Sequence, residues 1–250
     1  MKIPVSVAII TKNEERNIEE ALESVKDFEE IVIVDSLSTD KTIEICKRYT
    51  DKIYQHEWKG FAVQKQIAIE KTTLPWILVL DADERVTDSL KMEINEKIRV
   101  KDFDGYFIPR RNFFIGKWIK HSGWWPDYTL RLFKKEKGKV EIREVHEKII
   151  VDGKTSYMKE PFLHYTYQNI EEFIKKMNNY ASLSAQEIVK RNPSRYKIFY
   201  KMIFSPCFTF LKMYIFRLGL LDGIRGLILA MLYSFYGFLK YVKAWEKLWK

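Results

Sequence analysis

The apolar run Trp76-Ile-Leu-Val-Leu80 stops at Asp81-Ala-Asp83-Glu84, and Thr87 behind it reads as a helix start. Five apolar residues without alternation describe a buried strand. Two carboxylates two residues apart at its carboxyl end make a compact, oxygen-rich site. Hard divalent cations such as Mg²⁺ or Mn²⁺ take such sites, with few protein ligands and substrate phosphates completing the shell. The plainer reading is a pair of solvated loop acids, since Asp-x-Asp is a common string. Position separates the two, because open α/β sheets bind ligands outside the carboxyl ends of their strands.

The surrounding chain has the pattern of such a sheet. Val5–Ile10 reads as a buried strand, and Asn13 as the cap of a helix running to about Lys26. Ile31–Val34 is a second strand ending at Asp35, and Ser38 is placed to cap the next helix, with Asp40 in its first turn. Ile53-Tyr54 reads as a short third strand, Phe61–Thr72 as a helix, and Leu90, Ile94 and Ile98 recur at helical spacing. Strand–helix alternation predicts an α/β fold with a parallel sheet and right-handed crossovers. From about residue 101 the pattern changes. Gly105–Phe114, Leu130–Lys134 and Lys148–Val151 read as strands, and the Trp-, Gly- and Pro-rich segment 118–127 as a loop. A helix starts near Asn169, with Glu172 placed for a reciprocal cap. The expected divisions are 1–100, 101–168 and a helical region 169–250.

Charge sets the end of the chain apart. The 250 residues carry a net +9, yet residues 190–250 hold 12 Lys and Arg against two acids, whereas residues 1–189 hold 31 against 32. The same tail holds 15 of the 37 aromatic residues. A basic, aromatic tail implies an anionic partner, membrane or nucleic acid, and the apolar density of residues 202–242 fits lipid better. The longest uncharged stretch, Gly226–Leu239, has 14 residues, short of the roughly 20 that span a bilayer. Interfacial helices with a break near Gly219 and Gly223 are therefore expected, associating with membrane from about residue 196. The alternative is a helical pair that packs on the domain or dimerises. Two cysteines, Cys46 and Cys207, offer no disulfide framework, no signal peptide is visible, and a reduced cytosolic setting is expected.

Taken together, Ala8-Ile-Ile-Thr11-Lys-Asn-Glu14, Val34-Asp35-Ser-Leu-Ser38-Thr39-Asp40 and Asp81-Ala-Asp83-Glu84 resemble a family 2 glycosyltransferase with the GT-A fold, over about residues 1–165. Further segments resemble a narrower group, the lipopolysaccharide-core β-glucosyltransferase-like proteins, nearly end to end. These are Gly60-Phe61-Ala-Val-Gln64-Lys65-Gln66, Gly123-Trp124-Trp125-Pro126-Asp127 through Phe133, Val145-His146-Glu147, Gly219-Leu-Leu-Asp222-Gly223 and Leu239-Lys240-Tyr241. Ser36-Leu37 departs from the Asp-Gly or Ser-Gly of many relatives, which leaves the geometry of that turn in question.

The resemblance implies a GT-A, Rossmann-like nucleotide-diphospho-sugar transferase fold with a C-terminal amphipathic helical extension. It places Thr11 and Glu14 beside the nucleotide, Asp35 at the base, and Gln64 and Lys65 at the base or diphosphate. Asp81 faces ribose or metal, and Asp83 ligates the Mg²⁺ or Mn²⁺ that bridges the diphosphate. His164 is either a third metal ligand or a satisfied core histidine. An inverting transfer needs a base for the acceptor hydroxyl. Asp127 takes that role, with Glu147 as the alternative; an ordinary loop acid capping a helix at Tyr128 is the plainer view of Asp127. Arg131 holds an acceptor phosphate or pairs with Asp127.

The expected activity is transfer of a hexose, glucose from UDP-glucose, to a lipid-linked saccharide such as the lipopolysaccharide inner core. The partners are the nucleotide-sugar donor, that acceptor and a membrane surface, with no nucleic acid. The location is peripheral, on the cytoplasmic face of the inner membrane. The rivals are a membrane-recruited nucleotide-sugar-binding protein without turnover and a nucleic-acid binder acting through the tail.

Overall fold

A computed structural model describes residues 2–100, 102–141, 148–167 and 169–249. Its first half alternates as the sequence pattern predicts: β1 (Ile3–Thr11), α1 (Ile18–Val25), β2 (Phe28–Asp35), α2 (Thr42–Cys46), β3 (Ile53–Gln55), α3 (Phe61–Lys71), β4 (Trp76–Asp81), β5 (Glu84–Val86) and α4 (Asp88–Lys97). Strands then dominate: β6 (Gly105–Phe114), β7 (Lys117–Trp118), β8 (Asp127–Lys134), β9 (Gly138–Glu141), β10 (Lys148–Val151), β11 (Thr155–Tyr157) and β12 (Phe162–Tyr167). The chain ends in α5 (Ile170–Lys190), α6 (Arg195–Leu211) and α7 (Ile224–Trp249).

The main sheet runs in the order β3-β2-β1-β4-β8-β6-β12-β5. β1 pairs in parallel with both β2 and β4, and β8 runs antiparallel to β4. Register decides what gathers at the carboxyl edge. Thr11 stands opposite Asp35, and Ile10 opposite Asp81. The three strand ends therefore bring their polar termini to one place.

Side chains alternate across these strands and feed two apolar layers. Val7, Ile9, Leu78 and Leu80 pack with Leu22 of α1 and Leu90 and Ile94 of α4. Ala8, Ile10, Ile77 and Val79 pack with Ala62, Ala68 and Ile69 of α3. Full burial of each large aliphatic side chain contributes about 1.5–3 kcal/mol, so the register that sets the site is also the one that fills both layers.

The chain forms two compact units. Residues 1–110 and 128–164 make the first, and 111–127 with 165–250 the second. Most of 101–168 thus lies in one unit with the first hundred residues, and the 111–127 excursion lies with the C-terminal helices. In the second unit, Phe114 and Ile119 pack with Phe173 and Met177 of α5 and Leu229 of α7. α6 continues into a π-helical turn at Lys212–Phe216, and a 3-10 turn at Gly219–Asp222 precedes α7. The break expected near Gly219 and Gly223 is there.

Several local expectations differ. Asn13 caps no helix; it is left-handed (φ 55°), and its side-chain oxygen accepts from Thr39 N–H at 2.8 Å. Helix α1 begins only at Ile18. Ser38 likewise turns back to Asp35, its N–H donating to Asp35 Oδ2 at 2.8 Å, and Asp40 is the residue that accepts from Thr42 N–H at the start of α2 (3.0 Å). Thr87 and Asn169 do cap α4 and α5, accepting from Leu90 N–H and Glu172 N–H. Asp127 opens a strand, not a helix.

Candidate active site

At the end of β2, Asp35 is wholly buried. Its carboxylate accepts from Ser38 N–H and, at 3.4 Å, from Thr11 Oγ1 and Gln55 Nε2. Asp35, the residue expected at the base, shapes the turn at the end of β2. The turn tolerates Leu37 by placing it left-handed (φ 57°) and about half exposed. Gln64, also wholly buried, donates to Ser36 Oγ at 3.0 Å and to the Glu57 carbonyl at 2.7 Å. Its Oε1 has no hydrogen-bond partner among the described residues. Glu14 N–H donates to Thr42 Oγ1, and Asn17 Nδ2 to Glu14 Oε2.

The end of β4 holds a dense charge network. Lys65 Nζ, from α3, lies 3.0 Å from Asp81 Oδ1. Arg131 Nη2, from β8, bonds Asp81 Oδ2 and lies 3.0 Å from Glu84 Oε1. Glu84 is wholly buried, accepts from Asp81 N–H at 3.0 Å, and has Arg110 Nη1 at 3.5 Å. Burial raises the pKa of Asp81, but the Arg131 and Lys65 charges outweigh it and hold that carboxyl well below the usual range. Arg131, expected at an acceptor phosphate or at Asp127, takes a seat inside this network. Lys65 and Asp81, both singled out in the sequence, come together here.

Asp83 and His164 face one another, with Nε2 3.3 Å from Oδ2. The first lies between β4 and β5; the second is on β12, which pairs with β5 at His164↔Glu84. Among the described residues no group of three or more His, Cys, Asp and Glu side chains converges. A carboxylate and an imidazole are nevertheless a donor set that fits a cation taking most of its shell from phosphate and water. Asp81, committed to two cations, fits that role less well than Asp83.

In the second unit Asn112 Nδ2 donates to Asp127 Oδ2 at 3.0 Å and to the Trp124 carbonyl at 3.1 Å, which orients the carboxylate. Asp222 reaches the same excursion from the far end of the chain. Its carboxylate accepts from Lys120 N–H at 3.1 Å and His121 N–H at 2.9 Å, and lies 3.2 Å from His121 Nδ1. Ser122 N–H donates to the Arg217 carbonyl at 2.9 Å. Glu147 and His146 lie outside the described residues. Sequence reasoning missed Asn112, Arg110 and the tie from Asp222. The first two sit in an ordinary strand pattern; Asp222 is one of only two acids in a basic tail, a signal in plain view.

A nucleotide-diphospho-sugar transferase of the GT-A type is the class that this fold and strand-end site define. Residues 6–162 match the family model described as Glycosyl transferase family 2, and the chain belongs to that family; it is a glycosyltransferase. Among curated relatives it is similar to "Lipopolysaccharide core biosynthesis glycosyltransferase LpsC" of Rhizobium meliloti, 34% identical over 98% of this chain and 93% of that protein. It is also similar to an "Uncharacterized glycosyltransferase" of Rickettsia felis, 28% identical over 98% of this chain and 91% of that one. Of the solved structures, S. aureus TarS 1-349 is similar at 18% identity, with a TM-score of 0.49, over 72% of this chain and 64% of that one.

Proposed function

We propose that the protein moves glucose from UDP-glucose, with inversion, to a lipid-linked saccharide such as the lipopolysaccharide inner core. The observation that carries this reading is the convergence of Lys65 and Arg131 on Asp81 at the carboxyl end of β4. The two buried cations at the strand ends would meet a diphosphate, and LpsC, at 34% identity, is named for lipopolysaccharide core biosynthesis. The turn held by Asp35, Thr11 and Gln64 would border the nucleoside, with Glu14 beside it.

In the reaction the acceptor hydroxyl oxygen attacks the anomeric carbon as the bond from that carbon to the diphosphate oxygen breaks. Asp127, oriented by Asn112, takes the hydroxyl proton. Lys65 and Arg131 meet the charge that the leaving diphosphate gains. Asp83 and His164 would hold the Mg²⁺ or Mn²⁺, which supplies Lewis-acid stabilisation of the departing group when bound.

The reading includes a peripheral seat on the cytoplasmic face of the inner membrane. One described helix, α7, is long and apolar enough to cross a membrane by length and composition. It carries Arg225 and Lys240. α6 exposes Phe199, Phe204 and Phe208 beside Lys197 and Lys201. An aromatic face fringed by cations suits a headgroup layer.

Thermal stabilisation by a panel of UDP-sugars, with and without Mn²⁺, tests the donor. UDP-glucose is expected to raise the unfolding temperature most, in a metal-dependent way. Asp83→Ala should remove the metal dependence. Asp127→Asn should keep donor affinity and lower transfer about 10²–10⁴-fold. Transfer by Asp127→Asn at the wild-type rate would sink the base assignment, and a panel without any stabilising UDP-sugar would sink the donor class.

A further inference from the structure

Buried cations of the first unit are matched by acids: Lys65 and Arg131 by Asp81, Arg85 by Glu20. In the second unit the half-buried Arg111 and the exposed Lys120 are not. The Arg111 guanidinium lies 4.8 Å from the centre of the Trp118 ring, and Lys120 Nζ lies 4.8 Å from the same ring. Among the described residues no carboxylate pairs with either side chain. Arg111 Nε and Trp118 Nε1 are moreover buried donors without an acceptor among the described residues. A buried donor left unmet costs about 1–3 kcal/mol, so Arg111 and Trp118 are short of acceptor atoms, with Lys120 adding a solvent-facing positive charge beside them.

The cluster is also built to stay in place. Asp222 accepts from the backbone N–H of Lys120, and Trp125 stands edge-on to Trp118 with ring centres 5.3 Å apart. Along the chain it adjoins the acceptor machinery. Asn112, next to Arg111, holds Asp127, and Trp125 precedes Asp127 by two residues.

We propose that Arg111, Lys120 and Trp118 form a subsite for an anionic substituent, a carboxylate or a phosphate monoester, on the acceptor saccharide, with Trp125 as a wall for its ring. Guanidinium and indole N–H groups are donors suited to a planar or tetrahedral oxyanion. A neutral sugar leaves the half-buried Arg111 guanidinium without a counter-charge, so the subsite selects charged acceptors. The assignment rests on the transferase reading only for the existence of a saccharide acceptor.

The test uses the full chain, saturated with UDP, and calorimetric titration of three octyl glycosides below micelle concentration: octyl glucoside, octyl glucuronide and octyl glucoside 6-phosphate. At least one charged glycoside should bind about tenfold more tightly than the neutral one, and which one does identifies the anion. The Arg111→Gln/Lys120→Gln double variant should lose that preference, whereas Arg111→Lys should keep most of it. UDP affinity, metal-dependent UDP-glucose hydrolysis and sedimentation with phosphatidylglycerol vesicles should be the same in all three proteins. Equal binding of charged and neutral glycosides, or a preference that survives the double variant, overturns the subsite. Loss of vesicle sedimentation in the double variant without any glycoside preference also overturns it, in favour of a lipid contact. Failure of the wild type to bind or hydrolyse any UDP-sugar would count against the transferase reading alone, since the anion preference is measured separately.

Discussion

Glu30 lies buried in β2, accepts from Ser6 Oγ and from Thr73 N–H and Oγ1, and pairs with Lys52. Burial raises its pKa, but those partners bring it down to about 2 from an ordinary 4.5. A carboxyl depressed in the folded state stabilises it above the unfolded value, and that contribution fades as pH falls from about 5 towards 2. Glu30→Gln is therefore expected to cost about 1–2 kcal/mol at pH 7 and little at pH 2, as read by urea unfolding at both. Arg131 poses a sharper case. Replacing it with Met leaves Glu84 buried and Asp81 short of a cation, at a cost of about 3 kcal/mol in the same assay. Of this network the sequence pointed to Lys65, Asp81 and Arg131 one by one, but not to their pairing. Arg131 lies 50 residues from Asp81, and no local periodicity joins a β8 side chain to the end of β4.

Among the elements, the segment from Ile119 to Trp124 depends on the turn between α6 and α7. Gly226 is the tightest point: a Cβ there would stand 1.9 Å from the Gly219 carbonyl oxygen. Gly226→Ala should destabilise the protein by about 1–3 kcal/mol, seen as a lower unfolding temperature. Asp222→Ala releases two backbone N–H groups and His121. It should lower transfer through the loop bearing Asp127 while leaving UDP affinity unchanged, a split measurable by titration beside turnover. The strand expected at Leu130–Lys134 forms as β8 and starts already at Asp127, so the alternative of a helix capped by Asp127 gives way. Asp127 and Arg131 are spaced as on a helix, yet Leu132 and Phe133 pair antiparallel with Leu78 and Ile77, and a remote strand partner outweighs a short helical pattern.

For the whole molecule, the arrangement of the second unit limits how its tail can be probed. Removing residues 196–250 deletes Asp222 and Arg217 together with any lipid-binding face, so lost activity would not isolate membrane attachment. Serine at Phe199, Phe204 and Phe208, all more than half exposed, is the cleaner change. It should abolish sedimentation with anionic vesicles and leave the unfolding temperature within a few degrees. Wild-type sedimentation should also weaken with salt. What the sequence by itself determined is the order of strands and helices through residue 100, the strand-end acids and the basic aromatic tail, because these follow from periodicities and charges a few residues apart. Which cation meets which acid, that Asp35 holds its turn, and that Asp222 holds the loop of Asp127 were decided only by the tertiary structure. Those contacts join residues tens of positions apart, and their strength comes from burial that no single segment provides.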